Sequence, residues 1–171
     1  MTHARGSRRA IRLGAWLAGG AIVAVLLFLG LRGTSSEARV APALPTERLS
    51  GEAVTLAQLR GRPAFVVFWA SWCGPCRQEA PALERFATTL GGRGHMVGVN
   101  WEDQLPGARA FVRTYRWSFP TLRDAGGRAG EAYGVSGLPT TFVLDAQGHI
   151  HEVLRGPQSE RTLGRALARL G

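Results

Sequence analysis

The sequence predicts an α/β protein, a central mixed β-sheet flanked by helices and carried behind an N-terminal extension. Three observations carry this reading. Ala64–Trp69 is an unbroken apolar run of strand length, as expected of a strand covered on both faces. An apolar stripe at helical spacing follows at once, in Cys76, Ala80, Leu83, Ala87 and Leu90. Further patterns give the order strand, helix, strand, helix, strand, strand, helix. At 171 residues, 45% hydrophobic and 19% charged, the chain can build one core and is not disordered, collagenous or coiled-coil.

The N-terminal extension explains much of the net charge of +9. All 21 basic residues are Arg, and five of them fall in the first 32 residues, which contain no acid. That leaves +4 for residues 33–171, with arginines too dispersed for a nucleic-acid interface. Leu13–Leu31 carries no charge and would rise about 28 Å as a helix, close to the hydrocarbon thickness of a bilayer. The reading is a basic cytoplasmic segment over 1–12, a transmembrane anchor over 13–31, a linker over 32–45 and a folded domain over 46–171. This places the chain at the cell membrane, single-pass, with its C-terminal domain extracytoplasmic. A cleaved signal is the alternative, since Ala41-Pro42-Ala43 loosely resembles a cleavage site, but the apolar run exceeds the usual length of about 7–15 residues. Ser7-Arg8-Arg9 also resembles a twin-arginine export signal.

Within the domain, Val54–Leu56 reads as a short strand and Ala57–Leu59 as a turn of helix. Ala64–Trp69 is the next strand. The helix after it has Pro75 in its first turn, ends at Gly91-Gly92, and should be kinked by Pro81. His95–Asn100 alternates as a strand, about 106–116 reads as helix, and a loop-rich central insertion runs to Gly134. Thr140–Asp145 and His149–Leu154 are strands joined by a turn at Ala146-Gln147-Gly148. A last helix spans Ser159–Leu170, with Leu163, Leu167 and Leu170 inward and Arg161, Arg165 and Arg169 outward.

The chemistry concentrates in Cys73 and Cys76, the two cysteines of the chain, which flank Gly74-Pro75 at a strand-to-helix junction. Cysteines three apart at a helix start can reach disulfide distance. Cys73, ahead of the first turn, would have its thiolate stabilised by free N–H groups and the helix dipole, which makes it the nucleophile. Cys76, one turn in, would be the better-shielded resolving thiol. Trp69 and Trp72 beside the pair would limit water and offer an apolar surface. A structural staple closing so short a loop stabilises by only about 2 kcal/mol. A metal site would need more ligands than two cysteines, and the histidines are His3, His95, His149 and His151. The strand–helix context of the Cys-x-x-Cys therefore points to redox chemistry, with no metal and no cofactor.

Phe68–Cys76, reading Phe-Trp-Ala-Ser-Trp-Cys-Gly-Pro-Cys, resembles the active-site segment of the thioredoxin superfamily, and Gly137–Phe142 resembles its cis-proline loop. Arg77–Pro81, Gly98–Asn100, Phe119–Asp124, Tyr133–Val135 and Asp145–Gly148 extend the likeness to membrane-anchored TlpA/ResA-type reductases, a group that includes CcmG/DsbE-like cytochrome c maturation proteins. The resemblance implies a thioredoxin-like fold over about 49–171. It implies a cis bond before Pro139 and a backbone at Leu138 that pairs with the substrate chain, with Trp72 nearby. Thioredoxin carries a buried Asp where this sequence has Val67, whereas Glu79 matches an acidic position of the TlpA/ResA group. Glu79 lies one helical turn from Cys76, so it is the candidate proton acceptor, or a carboxylate that raises the thiol pKa; the bland reading is a solvated helix-face glutamate.

The implied activity is protein-disulfide reduction by a Cys73/Cys76 dithiol. Gly-Pro between the cysteines resembles reducing thioredoxin, near about −270 mV, more than an oxidant. The implied partners are an exported disulfide-containing protein such as apocytochrome c, and a membrane thiol-transfer protein as electron donor. A general exchange protein outside cytochrome maturation is the alternative. A copper chaperone of this fold would need a histidine ligand, and a peroxide reductase would need a Thr-plus-Cys constellation before the helix that is absent here.

Overall fold

The computed structural model describes residues 39–171. The basic segment 1–12, the anchor 13–31 and the first half of the linker, residues 32–38, lie outside them. Among the described residues no helix is long and apolar enough to cross a membrane.

Six strands form one mixed sheet: β1 (Glu47–Ser50), β2 (Ala64–Trp69), β3 (His95–Trp101), β4 (Thr121–Asp124), β5 (Thr140–Leu144) and β6 (Ile150–Arg155), in the order β1-β4-β3-β2-β5-β6. β2, β3 and β4 run parallel, while β1, β5 and β6 join antiparallel. The helices are α1 (Leu56–Leu59), α2 (Gly74–Leu90), α3 (Leu105–Tyr115), α4 (Arg128–Tyr133) and α5 (Glu160–Ala168). This is the mixed sheet flanked by helices that the patterning predicts.

β2 is central and every residue of it is buried. Its alternation feeds two cores. Phe65, Val67 and Trp69 pack with α2, α3 and α5 on one face, whereas Ala64, Val66 and Phe68 pack with Leu122, Tyr133 and Phe142 on the other. On α2 the predicted stripe is buried at Cys76, Ala80, Leu83 and Leu90, joined by Glu79 and Phe86, with Ala87 half-buried. Pro81 sits at an exposed position of that helix. α5 is capped by the Ser159 hydroxyl, which accepts from the Thr162 N–H. Leu163 faces inward and Arg161, Arg165 and Arg169 outward.

Three expectations are corrected. Val54–Leu56 is not a strand; the edge strand is β1, whose Glu47 pairs with Arg123 of β4 both in register and through a 2.9 Å ion pair. The insertion before Gly134 is not all loop but holds β4 and α4. Both are short and polar, and both are held by tertiary contacts: Asp124 Oδ2 accepts from the Gly130 N–H, and Gly130 lies so close to the Trp101 indole that no Cβ fits. The linker also ends before residue 45, because Ala41 and Leu44 are buried in the second core and Val40 bridges His149 beside β6. Leu44→Ala is therefore expected to destabilise the protein by about 2 kcal/mol in denaturant titrations; an unchanged midpoint would return this segment to a tether.

Candidate active site

β2 delivers the site. Its parallel pairing with β3 brings Trp69 opposite Asn100, so the two chains leave the sheet together. The segment leaving β3 carries Asp103, a buried carboxylate that binds the segment leaving β2. Asp103 Oδ2 accepts from the Ser71 N–H at 2.6 Å and from Asn100 Nδ2 at 2.8 Å, and Oδ1 accepts from Ser71 Oγ at 2.9 Å and the Gln104 N–H at 2.8 Å. Arg77 adds a bond from its guanidinium to the Ser71 carbonyl at 2.7 Å. Ser71 is thereby tied at its amide, hydroxyl and carbonyl, two residues before the first cysteine.

Cys73 caps α2. Its Sγ accepts from the Cys76 N–H at 3.1 Å, and the two cysteines are joined as a disulfide with Cα atoms 5.3 Å apart. Cys73 is 4% exposed and Cys76 1%, so the expected difference in shielding is slight. What distinguishes the two sulfurs is the cap position, where the Cys76 N–H meets Sγ of Cys73.

The two tryptophans divide. Trp69 is fully buried against Phe111 and Trp117 and offers no surface, contrary to expectation. Trp72 is 57% exposed beside the disulfide, its Nε1 donating to the Glu102 carbonyl at 3.3 Å. Glu102 takes a left-handed φ of 46° to present that carbonyl.

The Leu138–Pro139 bond is cis. Thr140 of β5 pairs with Phe68, so Pro139 and Leu138, continuing that register, run beside the end of β2 that leads into Cys73. Leu138 is half-buried and packs against the core cluster that contains both cysteines.

Glu79 is 1% exposed and is not a solvated helix-face residue. Its Oε2 accepts from the Gln158 N–H at 2.8 Å, while Oε1 is buried without a partner. Burial pushes the carboxyl up to about 8, opposed in part by the Gln158 bond. The group is thus a neutral acid near neutral pH, three residues along α2 from Cys76. Among the described residues no cluster of three or more His, Cys, Asp or Glu side chains could hold a metal ion.

The structure thus brings Trp72, Cys73, Cys76, Glu79, Leu138 and Pro139 together around the C-terminal end of β2. Sequence reasoning missed Asp103 and Gln158, while Ser71 and Asn100 lie in segments that carry the resemblance but without a role assigned to them. A carboxylate directly after a central parallel strand was the available signal for Asp103, because such strand ends gather functional groups in α/β sheets. Gln158 acts through its backbone N–H, which no residue pattern announces.

The AhpC/TSA family model matches residues 38–153. The chain is 32% identical to the thiol-disulfide oxidoreductase ResA of Bacillus subtilis, over 73% of this chain and 70% of that protein. It is 38% identical to the thiol:disulfide interchange protein DsbE of Allochromatium vinosum, over 88% and 84% respectively. Among solved structures, a thiol:disulfide interchange protein of the thioredoxin family from Chlorobium tepidum superposes with a TM-score of 0.70 at 31% identity, covering 78% of this chain and 97% of that one.

Two expected outcomes follow from the two carboxyls. Asp103→Ala leaves the buried Asn100 amide and the part-buried N–H and hydroxyl of Ser71 without their acceptor and should cost about 2 kcal/mol in denaturant unfolding. For Glu79, the folded chain keeps a proton that the unfolded chain releases above its ordinary value of 4.5. That contribution to stability is full below 4.5 and is lost as pH rises through about 8. In the oxidised protein, where the cysteines do not titrate, Glu79→Gln should abolish this decline between pH 5 and 9; an undiminished decline would assign it elsewhere.

Proposed function

The chain belongs to the AhpC/TSA family and is a thiol:disulfide oxidoreductase of the ResA/DsbE type, and from that premise we propose that it is a membrane-anchored, extracytoplasmic reductase of disulfides in exported proteins, apocytochrome c first among them. The observation that carries the reading is the placement of Cys73 as the cap of α2, beside a cis-proline loop and above a buried acid.

In the reduced protein the Cys73 thiolate attacks one sulfur of the substrate disulfide. The substrate S–S bond breaks, a mixed disulfide forms through Cys73, and the departing substrate sulfur takes up a proton. Glu79 in its ionised form, whose share grows as pH rises toward about 8, takes the proton of Cys76. The Cys76 thiolate attacks Sγ of Cys73 and releases the second substrate sulfur as a thiolate, which takes up a proton from solvent. Two electrons pass from the dithiol to the substrate, and the protein is left as the Cys73–Cys76 disulfide seen here. The backbone of Leu138 before Pro139 supplies the edge along which the substrate chain lies, and Trp72 supplies an exposed apolar surface next to the reacting sulfur. A reductant working in an oxidising compartment has to be recharged, so a membrane thiol-transfer protein is the proposed electron donor. The apolar segment over 13–31 and the arginines before it support the anchor and its orientation.

Cys76→Ser is expected to accumulate the mixed disulfide through Cys73, visible as a covalent adduct in non-reducing gels, while Cys73→Ser forms none. Reduction of a Cys-x-x-Cys-His peptide is expected to outpace that of insulin at equal protein. Equal rates would replace the cytochrome reading by general disulfide exchange.

A further inference from the structure

The connection between β6 and α5 reaches both halves of the site with alternate backbone donors. The Gly156 N–H donates to the Pro139 carbonyl at 2.9 Å, and the Gln158 N–H donates to Glu79 Oε2 at 2.8 Å. Pro157 between them has no N–H, so these two bonds use all the backbone donors of the segment 156–158. The segment has no ladder or helix to hold it. It is held by the Gln158 side chain, whose Nε2 donates back to the Gly156 carbonyl at 2.7 Å and the Arg155 carbonyl at 3.3 Å. Gly156 takes a φ of 77° to close the turn, a conformation that glycine adopts freely.

The consequence lies in how a carboxyl uses one N–H donor. In the neutral acid the accepting oxygen is the carbonyl oxygen, so with Oε2 engaged the proton resides on Oε1, the atom that is buried without a partner. In the carboxylate the same N–H stabilises the charge. Moving the donor by a few tenths of an ångström therefore changes how readily the proton leaves. Among the described residues, burial and the Gln158 bond are the effects on Glu79. Of the charged residues near it on its own helix, Arg77 bonds the Ser71 carbonyl and Glu84 accepts from the Ser118 N–H, while Cys76 lies one turn back on the buried stripe.

We propose that Gln158 is a positioning residue that sets the proton affinity of Glu79, by locking the 155–158 turn so that its own backbone N–H stays on Oε2. The same turn holds the carbonyl of Pro139, so the acid and the cis-proline loop share one support. The effect on turnover rests on the reading of Glu79 as the proton acceptor for Cys76; the effect on Glu79 itself does not.

The test uses the full oxidised chain in detergent micelles, labelled with ¹³Cδ-glutamate, with the Glu79 resonance assigned through Glu79→Gln. Gln158→Met keeps the side-chain length and loses the amide. It should raise the Glu79 titration midpoint by about one unit, tenfold in proton affinity, and leave the other glutamates unmoved. The pH profile of disulfide reduction should move the same way, but not in the Glu79→Gln background. Gln158→Glu, isosteric and without the donor when ionised, should shift the Glu79 midpoint upward too and serves if the Met variant does not fold. An unmoved Glu79 midpoint in a folded variant overturns the proposal. A moved midpoint with an unchanged rate profile upholds Gln158 and counts instead against Glu79 as the proton acceptor.

Discussion

The dithiol is where it is because Asp103 holds the chain that leads to it. A strand that leaves the middle of a sheet releases backbone donors that still need partners. Here the first of them, the Ser71 N–H, meets a buried carboxylate from the neighbouring strand's exit. With Ser71 pinned, the Cys73 N–H closes onto the Ala70 carbonyl at 3.2 Å, and this tight turn sets the direction in which α2 departs. Since Cys73 is the cap of that helix, its Sγ inherits its position from the turn rather than from contacts of its own. Cys76, Glu79 and the rest of the buried stripe then follow from helical geometry.

The site holds two buried carboxyls with opposite roles, and the difference is a count of donors. Asp103 accepts four hydrogen bonds, two on each oxygen, which make it a fixed structural acceptor. Glu79 accepts one and has an oxygen left over, so burial dominates and the proton is retained to about pH 8. A saturated carboxylate organises. A half-satisfied one near the pH of its surroundings can exchange a proton.

What the sequence disclosed follows the same physics. β2 was legible as an unbroken apolar run, and α2 and α5 because burial on one face imposes a period on their side chains; α2 shows it in Cys76, Ala80, Leu83 and Leu90. β1, β4 and α4 were not, because four to six residues with charges and glycines carry no period, and what holds them lies elsewhere in the chain. Leu122 is fully buried in the second core, among residues from β2, β3 and β5 that its own short strand does not announce. The start of the domain was misplaced for a related reason: Ala41 and Leu44 look like linker composition, and only the fold supplies the surface they cover. At the site, Cys73 and Cys76 could be read from spacing, and Pro139 and Glu79 from resemblance. Ser71, Asp103 and Gln158 contribute through backbone and hydrogen-bond geometry that a residue list does not contain.

The position of Val67 completes the account. A residue there points from the central strand toward α2, and in thioredoxin it is an acid. Val67 is fully buried in the cluster that includes Cys76, Ala80 and Leu83, so the strand's face toward α2 is apolar along its length. With the acid placed on α2 at Glu79, its donor comes from the β6–α5 turn, outside the sheet ladder. That turn also carries the bond to Pro139, on the loop expected to receive the substrate chain. Placing the carboxyl on the helix thus makes its hydrogen-bond donor part of the same turn that bonds the Pro139 carbonyl.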